Sequence, residues 1–324
     1  MEDRSLYIKI AHWYYTLGLT QDEIAKRLGT TRQRVNRIIN SLLDLGIVTI
    51  TVNGFNGGKV KEEAAIEEHY GLRRVIIAKT YGEEDFRPAL AERAARYLEE
   101  EIGQGMTIGV SWGETLAGTI SRLSYMNRGD CRVVQMVGAQ NIDVDMVKSD
   151  EIARILADKL DCVSYMLYAP AMLEKEETKK LLMEERTIRH TFEIMRQCDM
   201  ALFGIGQLSH NATMYSRGIM RSEDIDRIRG EGFVGDLCIN PIRQDGSYTG
   251  CTARKRFVSA NMDLIKSIPN VTAIAGGLDK VEAIMACLNS GAIDTLILDD
   301  CTASAIVSAL SQNSMDSTEV DDIN

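Results

Sequence analysis

The chain has 324 residues and a formal net charge of −10, with 45% hydrophobic and 26% charged residues. This is the composition of a soluble globular protein, and the acidic balance excludes a protein that coats nucleic acid over its whole surface. No apolar run approaches the roughly 20 residues of a membrane span, and the first residues do not form a signal peptide. The seven cysteines form neither a CxxC pair nor a Cys/His cluster. We therefore expect a cytoplasmic protein without a disulfide framework or a zinc site.

Charge is unevenly distributed along the chain. Residues 1–61 contain nine Lys or Arg and five Asp or Glu, a local charge of +4, so the remainder carries −14. This asymmetry favours a small basic module attached to an acidic body. We expect contact with nucleic acid to be confined to the basic end.

The first segment has the pattern of two short helices. Apolar residues recur at helical spacing over Leu6–Leu17, and Gly18 ends this first helix. The stretch Thr20–Glu23 has the pattern of a capping box, which begins the second helix. Gly29 follows it, where a tight turn needs a residue that tolerates positive φ.

A third helix is predicted to begin near Thr30 or Thr31 and to run to about Leu45. One of its faces is apolar, and the other is polar and basic. The β-branched run Ile47–Val52 ends at the turn dipeptide Asn53-Gly54. Three helices and a short ribbon predict a winged helix-turn-helix that binds DNA, although arginines on a helix alone often only solvate it. The predicted DNA-binding residues are Thr20, Gln21, Thr31, Arg32, Gln33, Arg34, Asn36 and Arg37.

From Leu72 onward, apolar β-rich runs alternate with amphipathic helices. This alternation predicts an α/β domain with a parallel sheet that is covered on both faces. The predicted strands are Val75–Ala78, Thr107–Ser111, Val133–Val137, Val163–Tyr168, Met200–Ile205, Val271–Ala275 and Thr295–Leu298. The predicted helices are Lys61–His69, Arg87–Glu101, Glu114–Leu123, Asp150–Leu160, Lys280–Asn289 and Ala303–Leu310.

Composition suggests four segments. We predict a DNA-binding domain over residues 1–54, a glycine-rich linker over 55–61 and an effector and oligomerisation domain over 62–311. Residues 312–324 are polar and lack apolar periodicity, which predicts a disordered tail.

Loops at strand ends carry the candidate ligand-binding groups, because ligands of parallel sheets bind beyond the carboxyl ends of the strands. Ser111–Thr115 joins a strand to a helix, and its amides and hydroxyls can hold a phosphate. Lys280 follows the turn Gly276-Gly277 and can neutralise an anion. Asp236, at a predicted strand end, can accept two sugar hydroxyls or, alternatively, cap local amides.

A nicotinamide site is excluded by the glycine pattern. Gly204-Ile205-Gly206 lies at a strand end but lacks the third glycine of the dinucleotide-binding fingerprint. We predict no cofactor and no metal.

Several motifs occur in a fixed order from about Ile8 to Ala309. They are Ala11–Tyr15, Gly18–Gln21, Ile24-Ala25, Arg34–Arg37, Gly109–Thr115, Ala169–Ala171, Gly204–Gly206, Gly235-Asp236, Ala275–Gly277 and Lys280–Ile284. Together they make the chain resemble the SorC family of bacterial sugar-responsive transcriptional regulators. The resemblance implies a body related in fold to ribose-phosphate isomerases and glucosamine-phosphate deaminases that works as a receptor, assembled as a homodimer or homotetramer.

The resemblance also implies roles for individual residues. Ser111, Gly113 and Thr115 would hold a phosphate beside Lys280, and Asp236 would hold hydroxyls. Cys238 and Asn240 would shape the pocket, and Gln140 would face the ligand. The presence of Trp112 and Glu114 in the first loop leaves an unphosphorylated sugar or polyol open. The predicted effector-binding residues are Ser111, Trp112, Gly113, Glu114, Thr115, Gln140, Asp236, Cys238, Asn240 and Lys280.

We therefore predict a DNA-binding regulator, a repressor in type, of a carbohydrate catabolic operon. Its partners are double-stranded operator DNA, a small carbohydrate or sugar phosphate and further copies of itself, with no membrane. The alternative is a sugar-phosphate isomerase or deaminase with an appended DNA-binding head. That chemistry needs an acid and a base near one carbon, and only Asp236 is well placed, so no catalytic residue is predicted. A constitutive DNA-binding protein whose body only oligomerises is a third possibility.

Overall fold

The computed structural model describes residues 4–49, 59–80, 85–139, 149–209 and 220–321. The chain divides into two compact units, Met1–Gly58 and Lys59–Asn324. The helix Val60–Tyr70 begins within the segment that composition assigns to the linker. Among the described residues, no helix is both long and apolar enough to cross a membrane.

The N-terminal unit is helical, as its sequence predicts. Its helices are α1 (Arg4–Ala11), which continues into a π-helical turn at His12–Thr16, α2 (Gln21–Leu28) and α3 (Arg32–Ser41). The three helices share one apolar core, to which each contributes. Its fully buried side chains include Ile10, Ile24, Val35 and Leu42. Of the predicted ribbon, residues 47–49 lie in no strand, and residues 50–54 lie outside the described part.

Local side-chain chemistry sets the ends of α2. Thr20 Oγ1 accepts a hydrogen bond from the Glu23 amide at 3.3 Å, and Glu23 Oε2 accepts from the Thr20 amide at 2.8 Å. This reciprocal pair is the predicted capping box, which satisfies amide groups that the first turn of a helix leaves without partners. Gly29 ends the helix at φ 60°, in the left-handed region that favours glycine.

The second unit is built on one predominantly parallel sheet. Its strands are β1 (Arg74–Ala78), β2 (Thr107–Val110), β3 (Arg132–Gln135), β4 (Val163–Tyr165), β5 (Met200–Gln207), β6 (Phe233–Leu237), β7 (Asn240–Arg243), β8 (Val271–Ile274) and β9 (Thr295–Asp299). The order β1-β9-β8-β5-β2-β3-β4 contains only parallel pairs. All seven predicted strands are present in this parallel core.

Both faces of the sheet are covered by helices. The helices of this unit are α4 (Val60–Tyr70), α5 (Arg87–Glu101), α6 (Glu114–Arg122), α7 (Ser149–Leu160), α8 (Glu176–Glu184), α9 (Arg186–Met195), α10 (Ser222–Gly230), α11 (Met262–Lys266), α12 (Val281–Asn289) and α13 (Asp300–Asp321). Val75 and Ile77 pack in one apolar cluster, while Ile76 and Ala78 pack in the other. Because successive strand residues point to opposite faces, a strand buried on both faces reads as a continuous apolar run.

The antiparallel hairpin β6–β7 departs from the predicted pattern. The end of β5 pairs with β6, with Ile205 opposite Leu237 and Gln207 opposite Gly235. The sequence predicts a strand end near Gly235 but not this hairpin, because its strands are short and include polar residues. The hairpin extends the sheet beyond the carboxyl end of β5, where a ligand site is expected.

The carboxyl-terminal segment differs from its prediction. Helix α13 continues to Asp321, whereas polar composition predicts a disordered tail from residue 312. No glycine or proline interrupts residues 300–321, so the helix that starts on the buried Ala303 and Ile306 has no backbone signal to end it earlier. Residues 322–324 lie outside the described part.

We expect Thr20→Ala to lower the free energy of unfolding of the N-terminal unit by about 1 kcal/mol, because it removes the capping box. The measurement is urea unfolding of the full chain in a Trp112→Phe background, so that fluorescence of Trp13, the other of the two tryptophans, reports this unit. Lys26→Ala, at an exposed position of the same helix, is the control and leaves the midpoint unchanged. Equal midpoints for both variants would contradict the role of the cap.

Candidate functional site

The strand order reverses between β2 and β5, and in open parallel sheets such a point forms a crevice beyond the carboxyl ends of the strands. From β2 the chain adds β3 and β4 on one side, whereas from β5 it adds β8 and β9 on the other. Loops after β2 and β5 therefore diverge, and open parallel sheets bind ligands at such a point. The Ser111 amide donates to Leu202 O at 3.0 Å, which fixes the end of β2 beside β5.

The loop after β2 ends at the start of α6. Ser111 is buried, and Gly113 has φ 134°, a conformation that L side chains rarely adopt. Helix α6 begins at Glu114, so the amides of its first turn and its positive dipole end face the crevice side of the loop. Gly204 lies under this loop, since a Cβ there would be 3.5 Å from Trp112 O.

Lys280 is the cation of the crevice. It lies in the short 3₁₀ turn Leu278–Lys280 after β8, and its Nζ donates to Ile205 O at 3.4 Å. Burial lowers the pKa of the Lys280 ammonium group, and neighbouring carboxylates oppose that shift. The charged neighbours of Lys280 are Asp279, Asp236, Glu114 and Arg87. Charged residues from three separate predicted loops therefore act electrostatically on this one ammonium group.

Asp236 is the buried carboxylate of the site. It lies on β6 with 4% of its surface exposed, and its Oδ2 accepts from the Ile239 amide at 2.8 Å. Gly206 lies against the carboxylate, and a Cβ at that position would overlap Asp236 Oδ1. Burial raises the pKa of Asp236 to about 6, although the Ile239 amide and Lys280 both act to lower it.

The turn beyond Asp236 is strained. Cys238 and Ile239 connect β6 to β7 with φ of 53° and 52°, in the left-handed region that is costly for a β-branched residue. Asn240 Nδ2 donates to Leu237 O at 2.9 Å and to Ala260 O at 2.9 Å. These hydrogen bonds stabilise the turn from its buried side. The turn holds the Ile239 amide in place for Asp236.

The structure separates the predicted effector-binding residues into groups. Around the end of β5 lie Trp112, Glu114, Asp236 and Lys280. Ser111 and Gly113 belong to the adjoining loop, and Thr115 lies in the first turn of α6. Cys238 lies in the turn and Asn240 directly follows it, and both are buried. Cys238 Sγ donates to Met136 O at 3.5 Å, and burial raises the pKa of its thiol. Gln140 lies outside the described residues.

Three further polar groups lie at this site that the sequence did not predict. Gln207 Nε2 donates to Asp279 Oδ2 at 2.9 Å across the crevice, and Arg87 contributes a second positive charge near Lys280. Gln207 and Asp279 could have been predicted from the sequence, because Gln207 follows a glycine-rich strand end and Asp279 directly precedes Lys280. No local sequence pattern places Arg87 at this site, because its spatial neighbour Lys280 is remote in sequence.

A further carboxylate supports the loop before Lys280. Asp299, at the end of β9, accepts from the amides of Gly277 and Thr302, each at 3.0 Å. Gly277 has φ 108°, which a non-glycine residue rarely adopts. Asp299 therefore fixes the glycine turn from which Lys280 extends.

The N-terminal unit presents a second candidate site on α3. Thr31 caps this helix by accepting from the Arg34 amide at 3.3 Å. Gln21 Nε2 donates to Asn36 Oδ1 at 3.1 Å, which ties α2 to α3 and orients the Asn36 amide. All the predicted residues of α3 itself are exposed: Arg32, Gln33, Arg34, Asn36 and Arg37. This polar, basic surface has the donors that DNA phosphates and base edges accept.

Comparisons with known proteins give matches to both units of the chain. The Sugar-bind family model, which describes a sugar-binding domain, matches residues 56–308, and the MarR_2 model of the MarR family matches residues 12–56. The erythritol catabolism regulatory protein EryD of Brucella abortus is 27% identical over 308 residues, covering 94% of this chain and 97% of that protein.

Solved structures show the same fold. A DeoR family transcriptional regulator from Listeria monocytogenes has a TM-score of 0.72 and 31% identity, covering 76% of this chain and 99% of its own. The full-length sorbitol operon regulator SorC of Klebsiella pneumoniae has a TM-score of 0.74 and 23% identity, covering 95% of this chain and 100% of its own.

The chain belongs to the SorC-type family of sugar-binding transcriptional regulators. Its matched relatives are transcriptional regulators, which confirms the prediction of a regulator over that of an isomerase or deaminase. The predicted fold class, a helix-turn-helix head with a parallel α/β effector domain, is also confirmed. In this family the N-terminal unit binds DNA, and sugar binding by the second unit controls it.

We expect Asp236→Asn to raise the free energy of unfolding at pH 8 by roughly 2–3 kcal/mol. The pKa of Asp236 is raised from 3.8 to about 6 in the folded protein, so ionisation destabilises the fold as pH rises through this range. The gain should fall to about half at pH 5, where the folded carboxyl is mostly protonated.

Urea unfolding of the ligand-free chain at both pH values measures this gain. Asp158→Asn is the matched control because Asp158 is exposed, and it should change stability by less than about 0.5 kcal/mol. A gain that is the same at pH 5 and pH 8 would show that ionisation of Asp236 is not its cause.

Proposed function

We propose that this protein is a cytoplasmic repressor of a carbohydrate catabolic operon that binds operator DNA as a homodimer or homotetramer. A sugar, polyol or sugar phosphate bound at the β2–β5 crevice changes its affinity for that DNA. The names of relatives support the pathway class, since EryD is named for erythritol catabolism and SorC for the sorbitol operon.

The observation that carries the proposal is that Lys280 and Asp236 both lie against the end of β5, Lys280 at Ile205 and Asp236 at Gly206. An ionised carboxylate accepts hydrogen bonds from hydroxyls, and an ammonium group donates three hydrogen bonds to hydroxyl or phosphate oxygens. A carbohydrate offers both kinds of group on neighbouring carbons. The amides at the start of α6 add donors for an anionic end.

The adjoining loop residues complete the proposed site. We assign Ser111, Trp112, Gly113, Glu114 and Thr115 to direct ligand contact. Cys238 and Asn240 support the site through the turn, because the polar atoms of Asn240 already bond within the protein. Gln140, outside the described residues, is kept as a predicted contact.

Control requires that the ligand distinguish two arrangements of the regulator. A ligand that binds one arrangement better shifts the population toward it, and a coupling of roughly 1–3 kcal/mol changes operator affinity about 5- to 150-fold. The buried carboxylate of Asp236 can supply this difference in affinity, because ligand hydroxyls replace the hydration that burial removes from it.

We expect Lys280→Ala and Asp236→Asn each to weaken effector binding about tenfold or more, because each leaves a ligand oxygen or hydroxyl without a charged partner. The measurement is a thermal-shift screen of sugars, polyols and their phosphates, followed by calorimetry with the compounds that stabilise the wild type. Lys180→Ala, exposed on α8, is the control and binds normally. Full binding by both site variants would place the effector elsewhere.

We expect Arg34→Ala and Asn36→Ala to weaken operator binding by roughly 1–3 kcal/mol each. If Arg34 contacts a phosphate, its loss also lowers the slope of log K against log salt by about 1. The operator is first obtained by selection from a random duplex library, and binding is followed by fluorescence anisotropy at several salt concentrations. Lys61→Ala, in the other compact unit, is the control. Unchanged affinity in both α3 variants would contradict the assigned DNA-binding surface.

A further inference from the structure

A second cavity lies in the effector unit, away from the proposed effector site. Its volume is about 550 Å³, within the roughly 300–1,000 Å³ range of small-molecule pockets. It is formed by side chains of α8, α9 and α11 and of the 3₁₀ turn Ala253–Arg256. Neither Asp236 nor Lys280 lines it.

The innermost charge of this cavity is the partly buried guanidinium of Arg254. Its Nε donates to Asn240 Oδ1 at 2.7 Å, Nη1 to Phe257 O at 2.9 Å and Nη2 to Ser259 O at 3.3 Å. These acceptors are neutral, and no carboxylate in the described part of the chain forms an ion pair with Arg254. A guanidinium has five N–H groups, so donors remain beyond the three that these bonds use.

Two further cations line the same space. Lys179 Nζ donates to Arg254 O at 3.3 Å, and Arg196, which directly follows α9, is exposed. Burial and the charge of Arg254 lower the pKa of Lys179 to about 8, against the opposing effect of Glu176. The repulsion between Lys179 and Arg254 is relieved if an anion lies between them.

The lining carries little negative charge. Its single carboxylate, that of Asp263, accepts a hydrogen bond from Tyr248 OH at 3.5 Å. Three cations against one carboxylate make this cavity positive within a protein of net charge −10. Met183, Phe192 and Leu264 supply an apolar part of the wall.

We propose that this cavity binds a small organic phosphate, with the phosphate group at Arg254, Lys179 and Arg196 and the carbon skeleton against the apolar wall. A phosphate monoester carries nearly two negative charges at neutral pH and three strong acceptor oxygens, which matches guanidinium and ammonium donors. The cavity is larger than inorganic phosphate alone would fill, so the proposed ligand also has an organic part. This site is separate from the carbohydrate site and does not depend on it.

Isothermal titration calorimetry of the full chain with phenyl phosphate, at fixed ionic strength and pH 7, tests the proposal. We expect the double variant Lys179→Gln/Arg196→Gln to weaken binding at least about tenfold, because two charge-assisted contacts are lost. Lys180→Gln, on the same helix but not in the lining, is the matched control and keeps wild-type affinity. Benzyl alcohol, which has the ring without the charge, should not bind detectably.

Lys280→Ala separates the two sites, since it should leave phenyl phosphate binding unchanged. Arg254→Ala is avoided because its hydrogen bonds support the fold around Asn240. The proposal is overturned if the wild type does not bind phenyl phosphate or if the double variant binds it normally. Loss of binding in Lys280→Ala alone would likewise overturn it, by assigning the anion to the effector site.

Discussion

The burial of Asp236 against Gly206 is the constraint on which the effector site depends. A carboxylate with 4% of its surface exposed is costly, and its pKa of about 6 reflects that cost. Only glycine fits opposite it, since a Cβ at Gly206 would overlap the carboxylate. The antiparallel pairing of β6 with the end of β5 brings these two residues together. A buried carboxylate at this position costs stability that an apolar residue would not, which favours the binding role that we propose for Asp236.

Two supports hold this unfavourable group in place. The turn at Cys238 and Ile239 adopts left-handed backbone angles so that the Ile239 amide meets the carboxylate. On the opposite side of the crevice, Asp299 fixes the glycine turn that carries Lys280. The strained turn and the buried carboxylate both lower the stability of the fold. The two large apolar clusters on the faces of the sheet offset this cost.

The same turn is also connected to the second cavity. Asn240 accepts from Arg254 and donates to Leu237 O and Cys238 O, so a continuous set of hydrogen bonds runs from the cavity to the hairpin that carries Asp236. The second cavity and the proposed effector site therefore share one strained turn. Such a shared element is the physical basis on which binding at one site can change affinity at another.

The amino-acid sequence by itself determined the helix-turn-helix and the parallel sheet, because both follow from local patterns. The capping box at Thr20, the amphipathic α3 and the continuous apolar strands are each readable within about a dozen residues. Sequence also predicts Lys280 and Asp236 as binding groups, since both stand at strand or loop ends, and this assignment stays a prediction. Tertiary structure alone decided that they meet at one point, because the meeting requires the reversal of strand order between β2 and β5.

Tertiary structure likewise decided the contribution of Arg87, the supporting place of Asn240 and the existence of the Arg254 cavity. These depend on contacts between segments that are remote in sequence, as Lys179 and Arg254 are. A local pattern records propensity and periodicity, but it does not record which side chains from separate elements share a space. For that reason the sequence predicts the two main candidate ligand groups, while the folded chain sets their charge environment.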